Sequence, residues 1–247
     1  MKKYEFTWET KKLENGTVLH RIRALVDIPN CIMIVKRGTL GGWIEKEENL
    51  SHVGDAWVSG NAEVYGKARV SGNACVYGNA WVYGNARVYG NAWVSGNAWV
   101  YGNAWVSGNA EVSGNAEVYG NAEVYGKARV SGNACVYSNA RVSDNAWVSD
   151  NAEVYGNACV YGNAEVYGNA WVSGNADYST IKGFGSVHRN TTFFRCKDGK
   201  IRVVCGCFYG DIGEFRAQVR ETREGKIAKE YLMIADLMEY HFSNEDS

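Results

Sequence analysis

The side chains best suited to bind a metal ion lie in the C-terminal part of the sequence. His and Cys are the ligands that zinc prefers, and four of them form a weak candidate site: His188, Cys196, Cys205 and Cys207. Their spacing matches no C-x2-C pair, and buried or idle thiols of a hairpin explain the same residues. We therefore predict neither a metal nor a cofactor.

The sequence contains little that indicates catalysis. A general base near neutral pH is most often a histidine, and all four histidines lie outside the repeat described below: His20, His52, His188 and His241. A nucleophile elbow and an H-E-x-x-H motif are absent, and the glycine-rich residues 38–42 lack the Lys-Ser/Thr of a phosphate-binding loop. A protein without enzymatic activity is therefore the favoured interpretation.

Composition narrows the class of protein. The 247 residues carry a formal net charge of −1, which argues against a general nucleic-acid binder. No apolar run reaches the length of a membrane span, and the N-terminus lacks the apolar region of a signal peptide, so we predict a cytoplasmic protein. Seven scattered cysteines fit free thiols in a reducing compartment.

A six-residue repeat supplies the framework that must position any site. Residues 55–174 contain twenty tandem copies of Asn-Ala-x-Val-(Tyr/Ser)-Gly, with Ala second and Val fourth in every copy. Alternation predicts that Ala and Val face inward while x and Tyr/Ser face outward on a strand of about four residues. Gly and Asn then form a corner. Three strands per coil predict a parallel β-helix with eighteen residues in each coil.

Residues eighteen apart should therefore stack on three faces. The first face is mixed and carries Trp57, Cys75, Trp93, Glu111, Arg129, Trp147 and Glu165. The second, here called the tyrosine face, carries Glu63, Trp81, Trp99, Glu117, Cys135, Glu153 and Trp171 beside Tyr65, Tyr83, Tyr101, Tyr119, Tyr137 and Tyr155. The third, here called the arginine face, carries Arg69, Arg87, Trp105, Glu123, Arg141 and Cys159.

Stacked aromatic side chains allow two interpretations. Ladders of identical residues stabilise a parallel coil by packing between coils. Contiguous exposed aromatic surface is also typical of interfaces. An acidic aromatic face and a basic one predict heterologous packing in a homo-oligomer, either a trimer or a dimer, with binding residues on two faces: Tyr65, Trp81, Tyr83, Trp99, Tyr101, Tyr119, Tyr137, Tyr155, Arg69, Arg87 and Arg141.

The repeat Asn-Ala-Trp-Val-Tyr-Gly at residues 79–84 resembles the hexapeptide-repeat, LpxA-like superfamily of left-handed β-helices. The segment Lys-Arg-Gly-Thr-Leu-Gly-Gly-Trp-Ile-Glu at residues 36–45, Asn-Leu-Ser at 49–51 and the tail at 192–200 more specifically resemble YdcK-like bacterial, phage and prophage repeat proteins. This resemblance implies a left-handed coil and a mobile-element origin, and it supplies no agreed activity. LpxA-like acyltransferases generally use a histidine on the coil or on an inserted loop, and this array contains neither.

The two ends read as caps of the array. Residues 4–12 and 17–28, joined at Asn15-Gly16, predict a β-hairpin, so residues 1–54 form an N-terminal cap. The array occupies residues 55–177. Residues 178–247 predict a small α+β cap, with a hairpin over 191–208 and helices over 211–223 and 226–242. The apolar side of the second helix comprises Ile227, Tyr231, Ile234, Leu237 and Met238.

These features predict a mainly β, single-stranded left-handed β-helix that acts as a non-enzymatic scaffold or protein-binding module. Its partner is a second copy or a host protein, and sequestration of a host-defence component is one form that such binding takes. The alternative is an acyltransferase-like or small-ligand-binding protein with a site at an intersubunit groove, where Arg69, Arg87 or Arg141 meets Tyr and Trp of another chain.

Overall fold

The N-terminal residues form strands that continue into the repeat. The computed structural model describes residues 2–29 and 34–243. Its first strands are β1 (Tyr4–Lys12), β2 (Val18–Ala24), β3 (Ile28–Pro29), β4 (Ile34–Val35) and β5 (Leu40–Ile44), followed by a 3-10 helix at Glu47–Asn49. β1 and β2 are antiparallel, β2 is antiparallel to β5, and β3 is antiparallel to β4.

The repeats form a β-solenoid of about seven turns. Each repeat contributes one strand at its third and fourth positions, so a strand has two residues rather than the four predicted, because the remaining positions form the corners. The strands β6–β25 are Trp57–Val58, Glu63–Val64, Arg69–Val70, Cys75–Val76, Trp81–Val82, Arg87–Val88, Trp93–Val94, Trp99–Val100, Trp105–Val106, Glu111–Val112, Glu117–Val118, Glu123–Val124, Arg129–Val130, Cys135–Val136, Arg141–Val142, Trp147–Val148, Glu153–Val154, Cys159–Val160, Glu165–Val166 and Trp171–Val172.

The core of the solenoid consists of the Ala and Val of every repeat, all of them buried. Each coil is joined to the next by regular backbone hydrogen bonds. In one repeat, the amide of Trp81 donates to Ala98 O (2.9 Å) and that of Tyr83 to Val100 O (3.0 Å). The burial of Ala and Val was therefore predicted correctly by the alternation.

The first coil accepts a strand and the side chain of Lys3 from the N-terminal segment. β5 pairs in parallel with β7, and Gly42 permits this approach because a Cβ there would lie 2.7 Å from Ala62 O. Lys3 Nζ donates to Gly54 O (3.0 Å) and Ala56 O (2.7 Å), and burial lowers the pKa of this amine to about 8. These contacts satisfy carbonyl groups that the end of a coil would otherwise leave unpaired.

The C-terminal residues form a second structural unit. A 3-10 helix at Asn175–Asp177 leads into β26 (Tyr178–Phe184), β27 (Arg189–Arg195), β28 (Ile201–Cys205) and β29 (Phe208–Asp211), an antiparallel sheet in chain order. Helices α1 (Ile212–Thr222) and α2 (Gly225–Phe242) follow. The hairpin predicted over 191–208 thus belongs to a four-stranded sheet.

Apolar side chains join this sheet to its two helices. Phe193 and Val203 are fully buried against Phe215 of α1 and the inner face of α2. Leu237 was predicted to lie on that inner face, but 56% of its surface is exposed. The prediction was correct for Tyr231, Ile234 and Met238, which face the sheet. It was wrong for Leu237, because this residue lies to one side of the stripe that those three form on the helix.

Candidate interaction faces

The coil register places the outward residues on the three faces predicted from the period of eighteen. Trp93 pairs with Glu111 on the first face, Trp81 with Trp99 on the tyrosine face, and Arg87 with Trp105 on the arginine face. The sheet of the tyrosine face also contains β5, β2 and β1. The N-terminal hairpin therefore extends this face beyond the first coil.

The six tyrosines of the tyrosine face form a continuous ladder. Successive rings are nearly parallel, with centroids 4.9–5.2 Å apart and interplanar angles of 1–9°. This separation follows from the spacing of neighbouring β-strands, about 4.8 Å. Each ring covers part of the next, so the tyrosines are half-buried rather than fully outward. The ladder therefore contributes to the stability of the solenoid.

Two carboxylates accept hydrogen bonds from hydroxyl groups of the ladder. Tyr101 donates to Glu117 Oε2 and Tyr137 donates to Glu153 Oε2, each at 3.1 Å. Burial raises the pKa of Tyr101 and of Tyr137 well above the usual tyrosine value, and these hydrogen bonds raise it further. At Tyr65 burial raises the pKa to about 12. These three tyrosines are therefore neutral at physiological pH.

The outer column of the tyrosine face presents tryptophan and acid to the surface. Trp81 stacks on Trp99 with centroids 5.1 Å apart, and Trp99 remains 37% exposed. Outside the array, Lys11 reaches Glu63, and Lys197 reaches Glu153 at 2.6 Å. Glu117, in the middle, forms no ion pair with any residue in the described part of the chain. The centre of this face is therefore acidic and aromatic.

The arginine face has exposed cations beside aromatic rings. Arg69, Arg87 and Arg141 are all exposed. The guanidinium of Arg87 lies 5.2 Å from the ring centroid of Trp105, a cation–π contact, and Arg141 approaches Glu123 at 3.6 Å. Since the ion pair is long and solvent-exposed, these cations remain available for contacts with another molecule.

The first face begins in a covered region and ends in an exposed one. Trp57 and Cys75 are buried, whereas Trp147 is 43% exposed and Arg129 lies 3.7 Å from Glu111. Cys75 is disulfide-bonded. The prediction that the cysteines are free thiols is thus wrong at this position, because folding can join cysteines that are distant in sequence. Among the described residues, five other cysteines are free: Cys135, Cys159, Cys196, Cys205 and Cys207.

Asparagine columns at the corners were missed by the sequence analysis. In one column the side-chain amide of Asn97 donates to Asn115 and that of Asn115 to Asn133, both at 3.0 Å. The signal was present, since Asn recurs every eighteen residues as regularly as Tyr does. In the column of Asn109 and Asn145 the intervening residue is Lys127, which interrupts the ladder.

The candidate metal ligands are not brought together. Cys196 follows the end of β27, whereas Cys205 ends β28 and pairs with Thr191 at the opposite end of the hairpin. Cys207 is exposed, and His188 contacts Gly183 O through Nδ1 at 3.0 Å. Among residues 2–29 and 34–243, no group of three or more His, Cys, Asp or Glu side chains is arranged to hold a metal ion.

Two histidines of the N-terminal segment have structural contacts. His52 stacks on Tyr4 with centroids 4.3 Å apart and accepts a hydrogen bond from the Lys3 amide, while His20 packs against Phe6. Burial lowers the pKa of His52.

Across the part of the chain that the structure describes, no helix combines the length and apolar character needed to cross a membrane.

Comparison with known proteins supports the repeat architecture. The family model described as YdcK Beta solenoid repeat matches residues 68–84, 80–96 and 94–108. No curated protein matches the chain significantly. The solenoid is therefore similar to the YdcK repeat within the first half of the array.

Proposed function

We propose that this chain is a non-enzymatic scaffold or protein-binding module that acts through the aromatic faces of its solenoid. The observation that carries the proposal is the exposed tryptophans at fixed positions on the tyrosine and arginine faces. Trp99, Trp105 and Trp171 are each 37–45% exposed. Large aromatic side chains in such positions are the usual anchors of protein interfaces.

The tryptophans, rather than the tyrosines, are the main contact groups in this proposal. The ladder tyrosines already bury their ring faces against one another, so their stacking accounts for their presence without any partner. Trp99 and Trp105, in contrast, stand outward beside charged residues. A partner that covers these side chains stabilises the complex by about 25 cal/mol for each square ångström of apolar surface removed from water.

Charge favours a second copy of the chain as the first candidate partner. The centre of the tyrosine face carries Glu117 without an ion pair in the described residues, and the arginine face carries exposed Arg69 and Arg87. Packing one face on the other brings opposite charges together and uses two different surfaces. Such a heterologous contact generates a cyclic oligomer when the rotation closes.

The repeat sequence supports finer assignments within the same proposal. Twenty unbroken hexads fit a single-stranded, left-handed coil of the LpxA-like type, with residues 1–54 and 178–247 acting as its caps. The motif similarity that favours YdcK-like proteins also favours a phage or prophage origin. A host protein with an arginine-bearing surface is then the second candidate partner, and its sequestration is the resulting activity.

Self-association is tested by light scattering of the purified chain at about 100 μM, where even a weak complex forms. We expect a mass above the 27.3 kDa of one chain, and we expect Trp99→Glu to reduce it to the monomer value. Trp147→Glu is the matched control, because Trp147 has similar exposure on the first face. A monomeric wild type, or equal effects of the two substitutions, contradicts self-association.

A host partner is tested by affinity capture from a bacterial lysate with the same variants. We expect one stoichiometric protein to bind the wild type and Trp147→Glu but not Trp99→Glu. Co-purification of acyl-CoA or a nucleotide without such a protein would instead favour a transferase or small-ligand site at an intersubunit groove, with Arg69, Arg87 or Arg141 as binding residues.

A further inference from the structure

A pocket of about 290 Å³ lies in the C-terminal unit. It opens between the sheet and the C-terminal half of α1, and α2 contributes Tyr231 to its wall. Six of its lining residues carry the argument: Arg189, Phe208, Phe215, Val219, Arg223 and Tyr231. Its size is close to the lower end of small-molecule sites, which begins at about 300 Å³.

One part of the pocket wall consists of apolar side chains that pack against one another. Phe215 and Val219 are 3% exposed and form its floor. The ring of Phe215 contacts Phe208 with centroids 5.4 Å apart and meets Tyr231 edge-on at 5.8 Å. A hydrocarbon or aromatic group of a ligand would therefore be shielded from water there.

Two guanidinium groups from different elements converge on this pocket. Arg189 begins β27 and lies directly over Gly206, where a Cβ would come within 1.9 Å of Arg189 Nη1. Arg223 follows α1 and donates to Thr222 O at 2.9 Å. Burial raises the pKa of Tyr231, whereas Arg189 and Arg223 both act to lower it, so both positive charges are felt at the same hydroxyl.

No carboxylate balances these charges. None of the residues that line the pocket is Asp or Glu. Within residues 2–29 and 34–243, neither Arg189 nor Arg223 forms an ion pair. Guanidinium groups bind carboxylates and phosphates in preference to other ligands, because their planar donors match paired oxygen acceptors.

We propose that this pocket binds a small organic anion whose apolar body contacts Phe208 and Phe215 and whose carboxylate or phosphate is held by Arg189 and Arg223. The site is independent of the proposed interaction faces. It requires no partner chain, since every lining residue belongs to one chain.

The proposal is tested by calorimetric titration of the full chain with phenylbutyrate, hexanoate and phenyl phosphate, each up to about 10 mM. We expect at least one to bind, whereas phenylbutanol, which lacks the charge, does not. Arg189→Gln and Arg223→Gln should each weaken binding about tenfold or more, the loss typical of removing one charge-assisted contact. Arg220→Gln, an exposed arginine of the same helix outside the pocket, is the control.

A second readout does not depend on the heat of binding. Cys207 lines the pocket and is exposed, so a bound ligand should slow its alkylation, measured by mass spectrometry of peptides. The free thiol of Cys159 in the array should react at an unchanged rate. Absence of binding by all three anions, equal binding of phenylbutanol, or unchanged binding in both arginine variants would overturn the proposal. Circular dichroism of each variant verifies that it is folded.

Discussion

Glycine at most corners of the array meets up to two separable physical requirements. Gly102 has φ +70°, which disfavours side chains, and a Cβ there would also lie 3.0 Å from the backbone nitrogen of Gly120 in the next coil. Gly162 has a similar φ of +72°, but a Cβ there would meet nothing within 4 Å. Asp144 and Asp150 tolerate the same conformation, since their carboxylates accept from the amides of Gly162 and Gly168.

This pair of glycines predicts two different costs of substitution. Gly162→Ala should lower the free energy of unfolding by about 1 kcal/mol, because only the backbone conformation is strained. Gly102→Ala should lower it by about 2 kcal/mol or more, because the coil above must also shift. Thermal denaturation followed by circular dichroism measures the difference. Equal losses of stability in the two variants would show that the next coil leaves room for a Cβ at Gly102.

The tyrosine ladder predicts a dependence of stability on alkaline pH. Burial raises the pKa of Tyr65 from its usual value of 10.0 to about 12, and the pKa values of Tyr83, Tyr101, Tyr119 and Tyr137 are also raised. Because the folded chain holds these protons more tightly than the unfolded chain, the contribution is fully present below pH 10 and is lost as the pH rises through about 12.

Absorbance of tyrosinate near 295 nm tests this directly. We expect part of the titration of the folded chain to occur above about pH 11, and to move toward pH 10 in denaturant. Tyr101→Phe should remove one late-titrating group. Complete ionisation of all tyrosines by about pH 11, in a chain that is still folded, would contradict the ladder.

At the scale of elements, an ion pair joins β1 to the solenoid. Glu63 is 1% exposed, and Lys11 of β1 is its ionic partner. Its second oxygen, Oε2, is buried without a hydrogen bond. Removing Lys11 would leave a buried carboxylate without compensation, a situation that costs a few kcal/mol.

Lys11→Met should therefore lower the free energy of unfolding by about 2 kcal/mol. Lys12→Met, on the same strand with an exposed side chain, should change it little. Chemical denaturation of the two variants under identical conditions provides the comparison. Similar stability of both would contradict the dependence of the buried Glu63 carboxylate on Lys11.

The elements show where prediction from sequence succeeded and where it could not. The period of six and the stacking period of eighteen depend on local alternation, so the three faces and the Ala/Val core could be predicted. The burial of Glu63 and Trp57 depends on the N-terminal segment that lies over them, and no local pattern encodes that contact. β29 was missed because four residues beside a turn carry too little periodicity to indicate a strand.

The same distinction applies to the candidate sites. The composition of the tyrosine and arginine faces followed from the sequence alone. The pocket beside Arg189 and Arg223 did not, because its walls come from β27, α1 and α2, whose packing becomes known only in three dimensions. The stacking of the tyrosine rings on one another also required the structure, and it transferred the proposed contact role from tyrosine to tryptophan.

At the scale of the whole molecule, the solenoid presents chemically different faces at a fixed relative orientation. One rigid body carries an acidic aromatic face and a basic aromatic face. The central claim is that chains associate with one another through these two unlike surfaces. Electrostatic attraction between them should weaken as salt is added, because exposed charges are screened beyond about 8 Å at physiological ionic strength. The claim requires that a chain altered on one face still binds another chain through its other face.

The most direct measurement is light scattering of two variants, alone and mixed. Trp99→Glu leaves the arginine face intact, and Arg87→Glu leaves the tyrosine face intact. We predict that each variant alone has the 27.3 kDa mass of one chain, and that an equimolar mixture forms a heterodimer of twice that mass. A mixture that remains monomeric, or an Arg87→Glu chain that assembles by itself, would contradict packing of the tyrosine face on the arginine face.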